Sequence, residues 1–205
     1  YLQGHSLEQE METQGRLSPQ RCAQILVPVC GALAEAHRAG IVHRDIKPSN
    51  IFLHRPSRRE IPKVLDFGIA RLAGDAALQQ SLTVDGSLLG TPAYMAPERF
   101  SSQPYDGRSD VYSLGITLYQ MLSGRLPFMT AHGDPLAMAM MQRNDEPPSL
   151  AGLDPPVPAE MEEVVLQALR KDPAARPPAE DLARLIAQAA GYPTRAVLPP
   201  VVRPV

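Results

Sequence analysis

The chain has 205 residues, of which 44% are hydrophobic and 20% are charged, as is usual for a globular domain with a substantial core. With 20 Lys and Arg against 22 Asp and Glu, the net charge is −2, without the basic excess of a dedicated nucleic-acid binder. No uncharged apolar run approaches the roughly 20 residues of a membrane-spanning helix. The first residues also lack the pattern of a signal peptide. We therefore expect a cytoplasmic location, with no nucleic-acid partner and no membrane segment in this chain.

A long helix is predicted over residues 17–40, where apolar residues recur at helical spacing. Ser18 suits the N-cap and Pro19 suits the first helical position. Gly40 is typical of a helix end. Pro28 lacks a backbone N–H and is expected to kink the helix.

The chain's two cysteines, Cys22 and Cys30, both fall in this predicted helix. Eight residues of helix separate them by about 12 Å, which is too far for a disulfide. We expect two small buried hydrophobic side chains, as suits a reducing cytoplasm.

Short β-type runs follow the helix at Ile41–Val42, Ile51–Leu53 and Lys63–Leu65. The polar residues 54–62 between the last two runs predict a hairpin loop. Residues 66–98 have weak periodicity, and long irregular segments of this kind are usually functional or mobile.

The second half of the chain is predicted to be helical. The segment 109–124 is almost wholly apolar, which places it in a core. Further helices are expected at 134–143, 159–170 and 178–190. Residues 192–205 are rich in proline and predict an extended tail or linker. The expected fold class is α+β and mainly helical, with a few short strands.

Three sequence motifs occur in a fixed order. "HRDIKPSN" spans residues 43–50, "DFG" begins at Asp66, and "APE" ends at Glu98. Any one tripeptide arises easily by chance, but the eight-residue motif followed by both others is highly specific. From residue 1 to about 191 the chain resembles the eukaryotic-like serine/threonine protein kinases of bacteria. The resemblance predicts a protein kinase domain over 1–191, with short β-strands near the active cleft.

This resemblance implies transfer of the ATP γ-phosphate, a reaction that depends on positioning and charge neutralisation. Asp45 would accept the proton of the substrate hydroxyl. Lys47 would reach the γ-phosphate. Asn50 and Asp66 offer the oxygen ligands that Mg²⁺ requires. The implied cofactors are therefore ATP and Mg²⁺.

The expected substrates are protein serine and threonine hydroxyls. Lys47 occupies a position where tyrosine kinases of the superfamily usually differ. Thr91, in "GTPAYMAPE", resembles the threonine that bridges to the catalytic Asp and Lys of serine/threonine kinases.

Arg44 resembles the arginine that pairs with a phosphate on the activation segment of related kinases. A phosphate dianion is well matched by a bidentate guanidinium. Candidate acceptors are Ser81, Thr83 and Ser87, and Thr83 is favoured by analogy. The alternative, three solvated loop hydroxyls, stays open.

The resemblance implies architectural roles for His43, Phe67, Gly68, Glu98, Asp110 and Arg176. Asp110 would accept hydrogen bonds from the backbone of the catalytic loop. Arg176 would form a buried ion pair with Glu98. His43 and Phe67 would stack within the core.

No G-x-G-x-x-G motif occurs in the sequence, and Lys47 is its first lysine. Kinases of this type hold ATP with such a loop and with a lysine in the small lobe. "YLQGHSLEQ" resembles the hinge between the lobes. We therefore expect a large lobe that begins at the hinge, lacks the small lobe and has negligible activity alone.

Four residues are predicted by position to contact the nucleotide. Leu2 would offer backbone hydrogen bonds to adenine, and Ser6 would contact ribose. Leu7 and Phe52 would lie beneath the base.

Alternative interpretations remain open at this stage. A non-catalytic kinase-like scaffold would retain a substrate-docking surface. An antibiotic phosphotransferase would share the Asp and Asn of the catalytic loop, but not the segment "GTPAYMAPE". The chain is also compatible with the cytoplasmic part of a longer membrane-anchored protein, as in many relatives of the family.

Overall fold

The computed structural model describes residues 3–56, 59–67, 92–100, 105–130 and 134–193. Within these ranges the protein is mainly helical and contains one three-stranded sheet. The predicted fold class is thus confirmed. In the part of the chain that the structure describes, no helix combines the length and apolar character needed to span a bilayer.

The helices from residue 19 onward closely follow the sequence prediction. Their bounds are Leu7–Gln14 (α1), Pro19–Arg38 (α2), Arg108–Ser123 (α3), Pro135–Asn144 (α4), Ala159–Ala168 (α5) and Ala179–Ala189 (α6). Ser18 caps α2 by accepting a hydrogen bond from the backbone N–H of Arg21 at 3.2 Å. The helix continues through Pro28, and its predicted kink stays a prediction. Gly124 ends α3 in the left-handed conformation.

The sheet has the order β1–β2–β3 and is antiparallel throughout. The strands are Gly4–Ser6 (β1), Ile51–His54 (β2) and Ile61–Val64 (β3). The predicted hairpin between β2 and β3 is confirmed. β1 was not predicted, because three residues that include a glycine show no alternation.

The predicted strand at Ile41–Val42 is wrong. These residues lie in an irregular segment directly after α2. The backbone N–H of Ile41 donates to the carbonyl of Ala36 at 2.9 Å, and Gly40 adopts φ +75°. The hydrogen bond from Ile41 therefore closes the end of α2, and the Ile41 side chain is 49% exposed.

The core lies where α2 packs against α6, with α3 running through it. Residues 109–119 of α3 are all buried, as predicted from a helix that is apolar on every side. Cys22 and Cys30 are also buried and unpaired, and burial raises the pKa of each thiol to about 12. The predicted role of the cysteines as core residues is confirmed. The predicted tail falls largely outside the described residues.

Candidate active site

Three charged or polar side chains converge in the segment between α2 and β2. Lys47 Nζ lies 3.1 Å from Asp45 Oδ2. Asn50 Nδ2 donates to the same oxygen at 3.1 Å and to the carbonyl of Asp45 at 2.7 Å. Asp45 and Lys47 remain about a quarter exposed, so the cluster is open to a ligand. Asn50 is buried, and its contact with Oδ2 orients the Asp45 carboxylate.

Asp110, in the first turn of α3, holds this segment by its backbone. Its Oδ2 accepts the N–H of His43, and its Oδ1 accepts the N–H of Arg44, both at 2.8 Å. His37 Nε2 lies 2.8 Å from the same carboxylate. Asp110 is 1% exposed, and a buried carboxylate requires partners of this kind. The predicted contact between Asp110 and the loop backbone is present.

Two residues near the site adopt the left-handed backbone region without being glycine. Arg44 has φ 72° and Asp66 has φ 53°. Such conformations cost on the order of 1–3 kcal/mol and persist only where the surroundings fix them. For Arg44 the surroundings include Asp110, which holds its backbone N–H.

Asp66 follows β3 and is fixed through its neighbours. Leu65 donates its backbone N–H to the carbonyl of Asn50 at 2.9 Å, and its own carbonyl lies 2.8 Å from His43 Nε2. The Phe67 ring lies 4.8 Å from the His43 ring, with the planes tilted by 58°. Both neighbours of Asp66 are thus tied to the segment that carries Asp45. The predicted pairing of His43 with Phe67 is present as a tilted contact. Asp66 itself is exposed.

A cationic patch lies beside the loop. The guanidinium groups of Arg44 and Arg99 lie 5.5 Å and 5.4 Å from the centre of the Tyr105 ring. Arg99 Nη1 also donates to the carbonyl of Arg44. Two guanidinium groups on one ring form a positively charged surface suited to an anion.

Arg176 and Glu98 form the predicted buried ion pair. Arg176 donates from Nη1 to Oε1 at 2.7 Å and from Nη2 to Oε2 at 2.8 Å. Ser109 donates its hydroxyl to Glu98 Oε1 at 2.8 Å. Burial is the largest single effect and would raise the pKa of Glu98. The hydrogen bonds and charge of Arg176, together with hydrogen bonds from the backbone and Ser109, outweigh it, so the net pKa is lowered.

The predicted nucleotide contacts differ in their exposure. Ser6 pairs with Phe52 across β1 and β2, and both are partly exposed. The Ser6 hydroxyl caps α1 by accepting the N–H of Gln9 at 3.2 Å. Leu7 is fully buried, so its side chain belongs to the core in this structure. Six predicted residues lie outside the described residues: Leu2, Gly68, Ser81, Thr83, Ser87 and Thr91.

Comparison with known protein families shows to which family the chain belongs. A family model described as "Protein kinase domain" matches residues 1–185. The chain belongs to the protein kinase family.

Relatives of this kinase chain are bacterial serine/threonine kinases. The "Probable serine/threonine-protein kinase SCO3848" of Streptomyces coelicolor is 40% identical over 174 residues, covering 84% of this chain and 25% of the relative. "Serine/threonine-protein kinase pkn3" of Myxococcus xanthus is 38% identical, covering 86% of this chain and 32% of the relative. "Serine/threonine-protein kinase Pkn1" of the same organism is 49% identical, covering 73% and 21%. The kinase chain thus spans a third or less of each of these relatives.

A solved structure shows the same fold. The Mycobacterium tuberculosis PknI kinase domain, as a C20A_R136A double mutant, is similar with a TM-score of 0.69 and 27% identity. The similarity covers 93% of this chain and 64% of that structure. The predicted resemblance to eukaryotic-like bacterial serine/threonine kinases is confirmed.

Sequence reasoning missed three residues in and around this candidate site: His37, Arg99 and Ser109. His37 falls within the helix predicted over residues 17–40, and no functional role was predicted for it. Its imidazole contacts Asp110 from another helix, and no local pattern shows such a contact. Arg99 directly follows the "APE" motif, and this position is the sequence feature that could have identified it.

Proposed function

We propose that this chain carries the catalytic loop of a serine/threonine protein kinase, which transfers the ATP γ-phosphate to serine and threonine hydroxyls of proteins. The observation that supports the proposal best is the convergence of Lys47 and Asn50 on one oxygen of Asp45, at 3.1 Å each. Phosphoryl transfer needs a base, a cation and a fixed geometry at one point. The cluster offers all three.

In this proposal Asp45 positions the substrate hydroxyl and accepts its proton. The Asn50 amide keeps the carboxylate in one orientation through its contact with Oδ2. Lys47, which contacts the same oxygen in this structure, would neutralise charge on the transferred phosphoryl group. A cation at that place stabilises the transition state more than the ground state.

Asn50 and Asp66 are the proposed Mg²⁺ ligands. Asn50 uses its amide nitrogen for Asp45, which leaves the amide oxygen as the atom type suited to a hard cation. Asp66 is exposed at the end of β3. Across the described ranges there is no group of three or more His, Cys, Asp or Glu side chains able to hold a metal. The pair Asn50 and Asp66 suits Mg²⁺, because Mg²⁺ in kinases takes its remaining ligands from phosphates and water. When bound, the ion would neutralise charge on the phosphates.

Regulation by phosphorylation is a further part of the proposal. Arg44 and Arg99 share the Tyr105 ring beside the loop. A phosphate on Thr83, or on Ser87, would meet two guanidinium groups there. Thr91 is proposed to bridge to Asp45 and Lys47.

The 205-residue chain alone is proposed to have negligible activity. Its sequence contains no G-x-G-x-x-G loop and no lysine before Lys47, so these residues supply only part of a phosphate clamp. We propose residues 1–191 as the large lobe of the kinase domain and 192–205 as a linker. Leu2, Ser6, Leu7 and Phe52 are the proposed adenosine contacts, for which the buried Leu7 would need to become accessible.

The test compares two polypeptides in a radiolabelled ATP assay with serine- and threonine-containing peptides. The 205-residue chain should give no transfer above background. The polypeptide encoded by the whole gene should transfer phosphate, and Asp45→Asn should lower kcat by a factor of about 10²–10⁴. Asp181→Asn, which changes an exposed carboxylate on α6, should leave kcat unchanged.

Full activity in the Asp45→Asn variant would overturn the catalytic assignment. Robust turnover by the 205-residue chain would overturn its proposed inactivity. If the product of the whole gene transfers no phosphate but binds a client protein through this lobe, the kinase-like scaffold is the correct interpretation.

A further inference from the structure

A lysine outside the Asp45–Lys47–Asn50 cluster has an unusual environment. Lys171, after α5, places its Nζ 4.6 Å from the centre of the Phe128 ring and 5.8 Å from that of Tyr112. Both rings are almost fully buried. The amine donates to the carbonyl of Gln142 at 2.9 Å. Within the described ranges, no carboxylate forms an ion pair with it.

Lys171 is nevertheless only partly buried and borders a groove on the surface. Lys171 lines a groove of about 500 Å³ between the turn Pro97–Phe100 and helix α4. The opposite wall includes Leu136 and Met140, which are 71% and 58% exposed, and the guanidinium-bearing Arg143. An apolar wall with one cation suits a molecule that has a short apolar group and an anionic group.

Charged groups around Lys171 come from several elements. Glu146 and Asp145, after α4, favour the ammonium, whereas Arg176 opposes it. Glu98 and Arg143 line the same groove. Burial is the largest effect and lowers the pKa of Lys171 to about 8. At pH 8 about half of this amine would be uncharged, against less than about 1% for a lysine with the ordinary pKa near 10.4.

We propose that Lys171 is a site of N-acylation, which accepts an acyl group from a small phosphate-bearing acyl donor bound in the groove between Pro97–Phe100 and α4. The donor is an acyl phosphate or an acyl thioester of a phosphorylated carrier. In both, the acyl group suits the apolar wall and the phosphate suits Arg143.

The reaction balances without an oxidant or reductant. The ammonium first loses one proton to water. The lone pair of Nζ then forms a bond to the acyl carbon, and the bond from that carbon to phosphate oxygen or thioester sulfur breaks with its electron pair on the leaving group. A second proton leaves nitrogen, and a neutral amide results. Acylation thus removes the positive charge above the two rings.

The chain is convenient for a test because it has only three lysines: Lys47, Lys63 and Lys171. The folded chain is incubated with acetyl phosphate in one arm and acetyl-CoA in another, from pH 7 to pH 10. Acetylation of each lysine is measured by peptide mass spectrometry. Lys63, on β3, is exposed and serves as the internal reference.

At pH 8 we expect Lys171 to be acetylated about tenfold faster than Lys63 in at least one arm, and that arm identifies the donor. The Lys171 rate should level off just above pH 8, and the preference should disappear in urea. Arg143→Ala should slow the reaction at Lys171 with the phosphate-bearing donor, but not with the uncharged reagent N-hydroxysuccinimidyl acetate.

Equal or slower reaction of Lys171 in both arms would overturn the proposal, as would a preference that survives unfolding. An Arg143→Ala variant that reacts like the unmodified chain would remove the proposed donor site. These readouts do not depend on kinase activity, so they can fail independently of the proposed function.

Discussion

Arg176 reaches Glu98, 78 residues earlier in the chain, through two parallel hydrogen bonds of 2.7 and 2.8 Å. The arginine side chain is fully buried and the glutamate side chain is 8% exposed. The remaining arginine donors reach the backbone carbonyls of Arg170, Lys171 and Arg108. One side chain therefore connects the end of the "APE" motif, the start of α3 and the turn before α6.

Replacing Arg176 by methionine should lower the free energy of unfolding by about 3–5 kcal/mol, because Glu98 would remain buried without its cation. Urea unfolding followed by circular dichroism measures the change. Arg184→Met is the matched control, since Arg184 pairs with Asp181 on the surface at 65% exposure, and it should change stability by about 0.5 kcal/mol or less. Similar losses in both variants would contradict the assigned role of the buried pair.

Glu98 should also make stability depend on pH. Its pKa is lower in the folded protein than in the unfolded chain, so the folded state binds the proton less readily. The stabilisation is complete above the unfolded pKa of about 4.3 and is lost as pH falls through the lower folded value. We expect wild type to lose stability relative to Glu98→Gln between about pH 5 and pH 3. A constant difference between the two proteins over this range would contradict the prediction.

Gly4 should tolerate no side chain. Its φ is +142°, and an added Cβ would lie 2.0 Å from the carbonyl oxygen of Leu53 on β2. Gly4→Ala should cost about 3 kcal/mol, since backbone strain and the clash act together. Gly152→Ala has φ +80° but no atom within 4 Å of the added Cβ, and it should cost only about 1 kcal/mol. Equal losses in urea unfolding would show that the contact between β1 and β2 is not the cause.

Asp110→Asn should loosen the segment between α2 and β2. An amide has one acceptor oxygen where the carboxylate has two, so either His43 or Arg44 loses the acceptor of its backbone N–H. A buried donor without a partner costs about 1–3 kcal/mol. Hydrogen exchange of at least one of these two amides should accelerate at least tenfold, while Asp181→Asn should leave both unchanged. Unaltered exchange in Asp110→Asn would mean that other contacts hold the loop.

The sequence predicted the elements whose information is local. Ser18, Pro19 and Gly124 mark helix ends by their own chemistry, and α2 and α3 lie within two residues of their predicted bounds. The convergence of Asp45, Lys47 and Asn50 was also predictable, because six residues hold all three. Ile41–Val42 failed because β-branched residues also occur where a chain leaves a helix, and strand propensity depends on tertiary context.

Contacts between distant segments were predictable only through family resemblance. Asp110 and Arg176 were assigned in that way. The position of Lys171 has no such motif, since Tyr112 is on α3, Phe128 follows it, and Gln142 is on α4. Three separate segments must fold together before the Lys171 amine contacts these groups. Hydrophobic periodicity does not predict contacts between distant segments.

The hydrogen bonds that the backbone amides of His43 and Arg44 donate to Asp110 also affect the free energy of ligand binding. The Asp110 carboxylate belongs to a buried helix, so the backbone conformation of residues 43 and 44 is fixed when the core forms. The conformational entropy of these two residues is therefore lost during folding. A ligand that binds the folded protein would find these residues already ordered. Its affinity would therefore not be weakened by an entropy loss at residues 43 and 44.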